Sequence, residues 1–375
     1  MIKRFRKMFL GFILIVAVLA AASCGYTRLP KFGAFPEGAR LQRIEASPNY
    51  RDGEFRNIEP LPEPAVKRTP IQRLVSFYTT LSSRADPPVG IPTVKTDLMA
   101  LDKNEDIVIW LGHSSFYMQL AGHRILVDPV FSENAAPIPF ANQAFSGTNI
   151  YTAKDMPEVD ILLITHDHWD HLDYPTVISL KDKTAKIVCP LGVGAHFERW
   201  GFSESSIVEM DWRESFEFSN NFTIHTLPAR HYSGRTFIRN KSLWAAYALT
   251  SSDRKLYLSG DSGYGAHYRD AGESFGGFDL VILDSGQYNE RWRYTHMMPE
   301  DTAQAASELN AKALLPAHAG KFSIAYHTWD DPFIRLVQAT QNSPFRLLTP
   351  KIGEPVRLDT DQQDFQHWWK DVPGQ

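Results

Sequence analysis

The apolar positions of this chain fall into short runs separated by polar residues, Gly and Pro. Runs at 106–110, 116–120, 123–127, 159–164, 187–189, 215–218, 222–227, 243–250, 255–259, 280–284 and 313–316 have the length and the aliphatic and aromatic content of β-strands. Helices are predicted over 174–180 and 193–200, and a better-marked one over 299–309. Pro299 opens that helix and Glu300 and Asp301 fill its first turn, where the exposed amides favour negative charge. Strand runs come first in each half, and helices separate the later strands. This order predicts an α/β protein in which two sheets pack face to face with helices outside, a four-layer αββα sandwich.

The first residues break the pattern. Lys3, Arg4, Arg6 and Lys7 precede an apolar stretch at 8–22. A basic start followed by about 15 apolar residues is the layout of an export signal, and it is short for spanning a hydrocarbon layer of about 30 Å. The segment Ala21-Ala22-Ser23-Cys24-Gly25 resembles the end of a bacterial lipoprotein signal. That resemblance implies removal of 1–23 as a signal peptide, lipidation of Cys24, and a membrane-anchored, exported protein. Gly25 stands where an acidic residue tends to retain lipoproteins at the inner membrane, which implies the periplasmic face of the outer membrane. Residues 24–92 read as an N-terminal extension, rich in Pro, Arg and Asn, with one short helix at 74–81. Phe32, Phe35, Tyr50, Phe55 and Ile58 predict that it docks on the remainder, 93–375, instead of staying disordered.

Charge and cysteine content narrow the functions. The formal net charge is −4, and loss of the four cations of the signal takes it to −8. Nucleic-acid binding needs a basic surface, so nucleic acid is not an expected partner. The chain has two cysteines. If Cys24 carries lipid, Cys189 has no disulfide partner. Its strand-like surroundings read as those of a buried, unreactive thiol.

The candidate chemistry lies directly after the apolar run at 159–164, in Thr165-His166-Asp167-His168-Trp169-Asp170-His171. A strand that ends in clustered imidazoles and carboxylates offers ligands for zinc and related metals. His231, Asp261 and His318 each follow a predicted strand in the same way. Ligands on loops at one edge of a sheet can converge, and strands hold them rigidly.

His166-x-His168-x-Asp170-His171, followed in order by His231, Asp261 and His318, resembles the metallo-β-lactamase fold superfamily. The likeness covers roughly 106–327. Trp110-Leu111-Gly112-His113-Ser114-Ser115, Val127-Asp128-Pro129-Val130-Phe131-Ser132, Pro228-Ala229-Arg230-His231, Gly260-Asp261-Ser262-Gly263-Tyr264 and His318-Ala319-Gly320-Lys321-Phe322 resemble, more narrowly, the branch of N-acylphosphatidylethanolamine-hydrolysing phospholipase D. The segments Pro30-Lys31-Phe32-Gly33 and Ser47-Pro48-Asn49-Tyr50 resemble the extension of its bacterial members. The resemblance implies the metallo-β-lactamase sandwich and two Zn²⁺, with Fe or Mn as alternatives. It places one metal on His166, His168 and His231 and the other on Asp170, His171 and His318, with Asp261 bridging. Asp261 stands where some β-lactamases use Cys, which points away from that branch.

The implied activity is metal-dependent hydrolysis by a metal-bridging hydroxide, with Asp170 and Asp261 as catalytic carboxylates and a phospholipid or small-molecule phosphodiester as substrate. A lactonase, esterase or cyclic phosphodiesterase of the same fold is the alternative, and a nuclease is disfavoured by the acidic mature chain. His113 reads equally as a support of the site and as a turn cap. Asp128 reads as a hydrogen-bond partner of a ligand imidazole or as a turn former. The resemblance places His296 and His327 near the substrate. Trp169 reads as pocket lining or as plain packing.

Overall fold

The computed structural model describes residues 2–62 and 85–373. The helix expected at 74–81 lies outside the described residues. In chain order, α1 (Ile2–Tyr26) and α2 (Gly38–Glu45) lead into the hairpin β1 (Tyr50–Arg51) and β2 (Glu54–Phe55). Then come β3 (Ile107–Trp110), β4 (Phe116–Leu120), β5 (His123–Val127), β6 (Val159–Leu163), α3 (Tyr174–Ser179), β7 (Thr184–Pro190), α4 (Gly194–Arg199) and β8 (Ile207–Met210). The second half holds β9 (Ser215–Ser219), β10 (Phe222–Leu227), β11 (Ala246–Ser251), β12 (Lys255–Leu258), α5 (His267–Phe275), β13 (Leu280–Asp284), α6 (Pro299–Glu308) and β14 (Ala313–Ala317). It closes with α7 (Asp331–Ala339), β15 (Arg346–Leu347) and β16 (Pro355–Arg357).

The strands form two seven-stranded sheets, ordered β16-β3-β4-β5-β6-β7-β8 and β15-β14-β13-β12-β11-β10-β9. Each is mixed. β3, β4 and β5 pair antiparallel and β5 to β8 parallel, while β9 to β12 pair antiparallel and β12 to β15 parallel. The last strand, β16, returns to pair with β3.

Side chains alternate across a strand, and the first sheet uses both faces. Val108, Trp110, Phe116, Met118, Ile125, Val127, Ile161 and Leu163 enter the core shared with the second sheet. Ile107, Ile109, Tyr117, Leu126, Leu162 and Ile164 face the opposite way, toward Val177 of α3 and Phe197 of α4. On the far side of the second sheet, Ala271 of α5, Ala305 and Ala306 of α6 and Phe333 and Leu336 of α7 join the shared core. The layers are therefore helix, sheet, sheet, helix, the sandwich that the sequence predicts.

Several boundaries differ from the expectation. β8, α5, α7, β15 and β16 were not predicted, and β7 begins at Thr184. Residues 243–245 are not strand. Leu243 N donates to Leu191 O at 2.8 Å and Ala245 N to Thr165 O at 3.0 Å, so this apolar stretch bridges to loops of the first sheet. Among the described residues, no helix is long and apolar enough to cross a membrane. Part of the N-terminal extension lies against the sheets: Phe32, Ile44 and Phe55 are buried, and Asn49 Nδ2 donates to Asp211 at 2.8 Å.

Candidate metal centre

The two sheets bring their loops to one edge. His166 and its neighbours follow β6, His231 follows β10, Asp261 follows β12 and His318 follows β14. The edge is tightly packed. Gly260 has φ of 56°, and a Cβ there would lie 2.8 Å from Thr165 Cβ, so only glycine lets the end of β12 approach the loop that carries His166.

Among the described residues the ligand-type atoms form three groups, each within 4.8 Å of one another: His166, His168, His231 and Asp261; His113, Asp170, His171 and His318; and Asp261, Asp284, His296 and His318. In the first, His166 Nε2 and His231 Nε2 lie 2.9 and 3.1 Å from His168 Nδ1. They lie 3.8 and 3.6 Å from Asp261 Oδ2. Four ligands about 2.0–2.1 Å from a tetrahedral zinc stand about 3.3 Å apart, so these separations fit a single ion. In the second group, Asp170 Oδ2 lies 2.9 Å from His113 Nε2, 3.6 Å from His171 Nε2 and 3.2 Å from His318 Nε2. Asp261 reaches this group too, with Oδ1 3.1 Å from His171 Nε2 and Oδ2 3.2 Å from His318 Nε2. The same carboxylate thus touches both of these groups.

Two buried atoms, His171 Nε2 and Asp261 Oδ1, make no hydrogen bond. A buried polar atom without a partner is costly, and a cation between these two satisfies both. The donor set of imidazoles and carboxylates fits zinc, and iron and manganese as well.

Outer partners fix the rings. His171 Nδ1 donates to Asp128 Oδ2 at 2.8 Å, and Asp128 also accepts from Thr165 N at 2.8 Å and Thr165 Oγ1 at 2.6 Å. His231 Nδ1 donates to Thr295 O at 3.0 Å. With Nδ1 committed, the Nε2 lone pair is left for a metal. His113, Asp128 and His318 all have positive φ, at 55°, 40° and 61°. Such conformations cost about 1–3 kcal/mol each and persist where surrounding contacts impose them. Here His113 and His318 hold one another, His318 N donating to His113 O at 3.1 Å and His113 N to Ala319 O at 3.2 Å.

The electrostatics follow from burial and mutual contact. Burial, then the neighbouring imidazoles, hold His166 well below the usual histidine range, and burial takes His168 down to about 4. Burial works against the charge of Asp170 and Asp261, but His171 and the other adjacent imidazoles outweigh it and keep both well below the ordinary carboxylate range. Burial likewise opposes charge on His318, yet Asp261 and Asp284 raise it to about 10. His171 is also raised, against burial, by Asp261 and Asp170. Without metal, protons on His171 and His318 balance the two carboxylates, and a metal ion binds by displacing such protons.

Every metal-type residue singled out in the sequence lies in this cluster, and His113 joins it directly. His296 is also here. Its Nδ1 donates to Asp284 Oδ2 at 3.0 Å, and its ring stacks on His318 with centroids 4.9 Å apart. His327 does not line this cavity; it stacks on Tyr288 at 4.3 Å beside a separate small pocket. Trp169 lines the cavity between Phe32, 5.1 Å away, and the Arg235 guanidinium, 4.0 Å away.

Sequence reasoning missed Asp284, which also lies 3.4 Å from His318 Nδ1. It is the first polar residue after the apolar run of β13, the same signal that marks Asp261 and His318. It missed Asn57 as well, whose side chain brackets the His231 backbone, accepting from N at 3.0 Å and donating to O at 2.8 Å. The cluster opens into a cavity of roughly 680 Å³ lined by Trp169, Tyr232, Phe237, Trp292 and His296 among others.

Comparison with known proteins agrees with this geometry. Residues 123–319 match the family described as the beta-lactamase superfamily domain. An uncharacterized protein of Mycobacterium bovis is 34% identical over 331 residues, covering 87% of this chain and 88% of the relative. N-acyl-phosphatidylethanolamine-hydrolyzing phospholipase D 1 of Caenorhabditis elegans is 29% identical over 57% of this chain and 63% of its own length. Among solved structures, a metallo hydrolase from Ignicoccus hospitalis superposes with a TM-score of 0.52 at 19% identity, over 67% of this chain and 97% of that one, which is a likeness of fold. The chain belongs to the β-lactamase superfamily and is a metal-dependent hydrolase of the metallo-β-lactamase fold.

Proposed function

We propose that the chain is a dinuclear zinc phosphodiesterase that cleaves phospholipids in the manner of a phospholipase D. The observation that carries this reading is the double contact of Asp261, whose two oxygens face both imidazole groups. When bound, a pair of divalent cations supplies the positive charge that acidifies a water and neutralises phosphoryl and leaving oxygens. His166, His168 and His231 would hold one ion, Asp170, His171 and His318 the other, and Asp261 both. Asp170 is positioned to orient the attacking water. His296 lines the cavity, and the bond from its Nδ1 to Asp284 holds its ring beside the place the substrate would occupy. The phospholipid reading is supported by the likeness to the C. elegans phospholipase D and by apolar side chains around the cavity.

The same reading anchors the mature chain through lipid on Cys24, at the periplasmic face of the outer membrane. Cys24 is exposed, as attachment of lipid requires. Cys24→Ala is expected to abolish incorporation of labelled fatty acid; retained label on that variant contradicts the anchor. The substrate reading is tested by offering metal-loaded enzyme phospholipid vesicles, bis(p-nitrophenyl) phosphate, lactones and β-lactams. Release of phosphatidic acid supports it, and turnover of lactones or β-lactams alone overturns it.

A further inference from the structure

Three segments meet at the mouth of the cavity. Ser23 and Tyr26 come from the end of α1, Pro137 and Ile138 from the loop after β5, and Thr236 and Phe237 from the loop after β10. The first two are latched together. The Tyr26 hydroxyl donates to Pro137 O at 2.6 Å, and Lys31 Nζ donates to the Tyr26 oxygen at 2.8 Å.

The two loops carry Phe237 and Phe140, which are 92% and 85% exposed, and beside them Ile238 and Ile138 at 50% and 53%. Among the described residues, Phe237 and Phe140 are the most exposed large apolar side chains. Large apolar side chains gathered on one rim mark a surface that is covered in use.

The chain itself indicates what covers it. α1 exposes Phe9, Phe12, Leu14 and Ile15, and it ends on this rim. Cys24 precedes Tyr26 by two residues, so at most about 7 Å of extended chain separates them. An acyl group on Cys24, or a retained α1, therefore delivers an apolar anchor to the rim that presents Phe140 and Phe237. Arg239 is exposed on the same rim, with its guanidinium 4.7 Å from the centre of the Tyr232 ring. Cations beside an apolar surface suit the phosphates of a lipid layer.

We propose that the cavity mouth is a docking surface for a lipid bilayer. Phe140 and Phe237, with Ile138 and Ile238, enter the apolar layer beside the anchor, and the cavity opens onto the lipid headgroups. This deepens the phospholipid reading and rests on its anchor at Cys24, but docking is measured without turnover.

The test uses the mature lipidated protein in vesicles of phosphatidylethanolamine and phosphatidylglycerol. An environment-sensitive fluorophore is placed on Phe237→Cys and, as a control, on Ser252→Cys in the exposed turn between β11 and β12. Cys189 is buried, and an acylated Cys24 offers no thiol. Docking predicts that lipids spin-labelled in their acyl chains quench the fluorophore at 237 severalfold more than at 252, and that aqueous iodide quenches it severalfold less. Equal iodide quenching at both positions with no quenching by lipid overturns the proposal, because the chain is then merely tethered. A fluorophore at 237 reached by neither quencher also overturns it, because a second copy then covers the rim. Labelling of the chain without an added cysteine reports a free Cys24 thiol and overturns the anchor on which the docking rests. Absence of phospholipid turnover alongside lipid quenching contradicts the substrate reading alone.

Discussion

Asp128 accepts the Nδ1 proton of His171 at 2.8 Å from a backbone in the left-handed region, φ 40°, one residue past the end of β5. The geometry leaves His171 Nε2 facing Asp261 at 3.1 Å. Asp128→Asn keeps the size of the side chain and removes its charge. Loss of such an outer partner typically weakens metal affinity by about 10–100-fold. That loss is expected in a chelator competition, with an unchanged far-UV spectrum. Unaltered affinity would show that Asp128 only forms its turn.

Asp261 is buried among His166, His171, His231 and His318. Asp261→Ala is expected to remove hydrolysis while the protein stays folded, because the imidazoles keep their own partners on Asp128 and Thr295. Retained turnover would refute its shared role.

The N-terminal extension contributes a wall to the site. Phe32 is 7% exposed and packs edge-on against Trp169 within the ligand loop. Arg235 ties the same segment down, donating to Lys31 O at 2.8 Å and to Asp167 O at 2.9 Å. Phe32→Ala is expected to lower the unfolding free energy by about 3 kcal/mol, within the range for truncating a buried phenylalanine. It should also expose the segment around residues 26–36 to protease. Urea unfolding with limited proteolysis checks both, and an unchanged midpoint contradicts the packing role.

Lys321 gives a pH dependence with a definite sign. Its amine is buried and donates to Val130 O at 2.7 Å, and burial lowers its pKa to about 7. The ordinary value is 10.5. Above that value neither folded nor unfolded chain holds the proton. As pH falls toward 7 the unfolded chain takes it up first, so stability is lost through this window, and the full penalty is present below pH 7. Lys321→Met removes the penalty. Its stability relative to the parent is expected to improve by about 3 kcal/mol between pH 10 and pH 7. A difference independent of pH contradicts the burial of a proton-shedding amine.

The sheets were legible because their inner strands are buried on both faces and read as apolar runs, continuous through Leu280–Leu283 of β13 and interrupted by Asp160 alone in β6. The ligands were legible because each follows such a run directly. α5 could have been found, since Tyr268, Ala271, Gly272 and Phe275 fall at helical spacing and face the core. A Cβ on Gly272 would lie 2.1 Å from Glu308 O, so the helix approaches α6 through glycine. β8 is a half-buried edge strand. Residues 243–245 misled because their apolar side chains are core while their amides pair with loops. The bond from Asn57 to His231 joins residues 174 apart, and no local pattern announces it. Asp284 could have been found, since it is the first polar residue after the apolar run of its strand.

The most direct test is zinc stoichiometry. Metal-stripped protein, titrated calorimetrically with Zn²⁺ and checked by elemental analysis, is expected to bind two ions per chain. Binding of one ion, or of none, would contradict a centre in which Asp261 serves both groups of imidazoles.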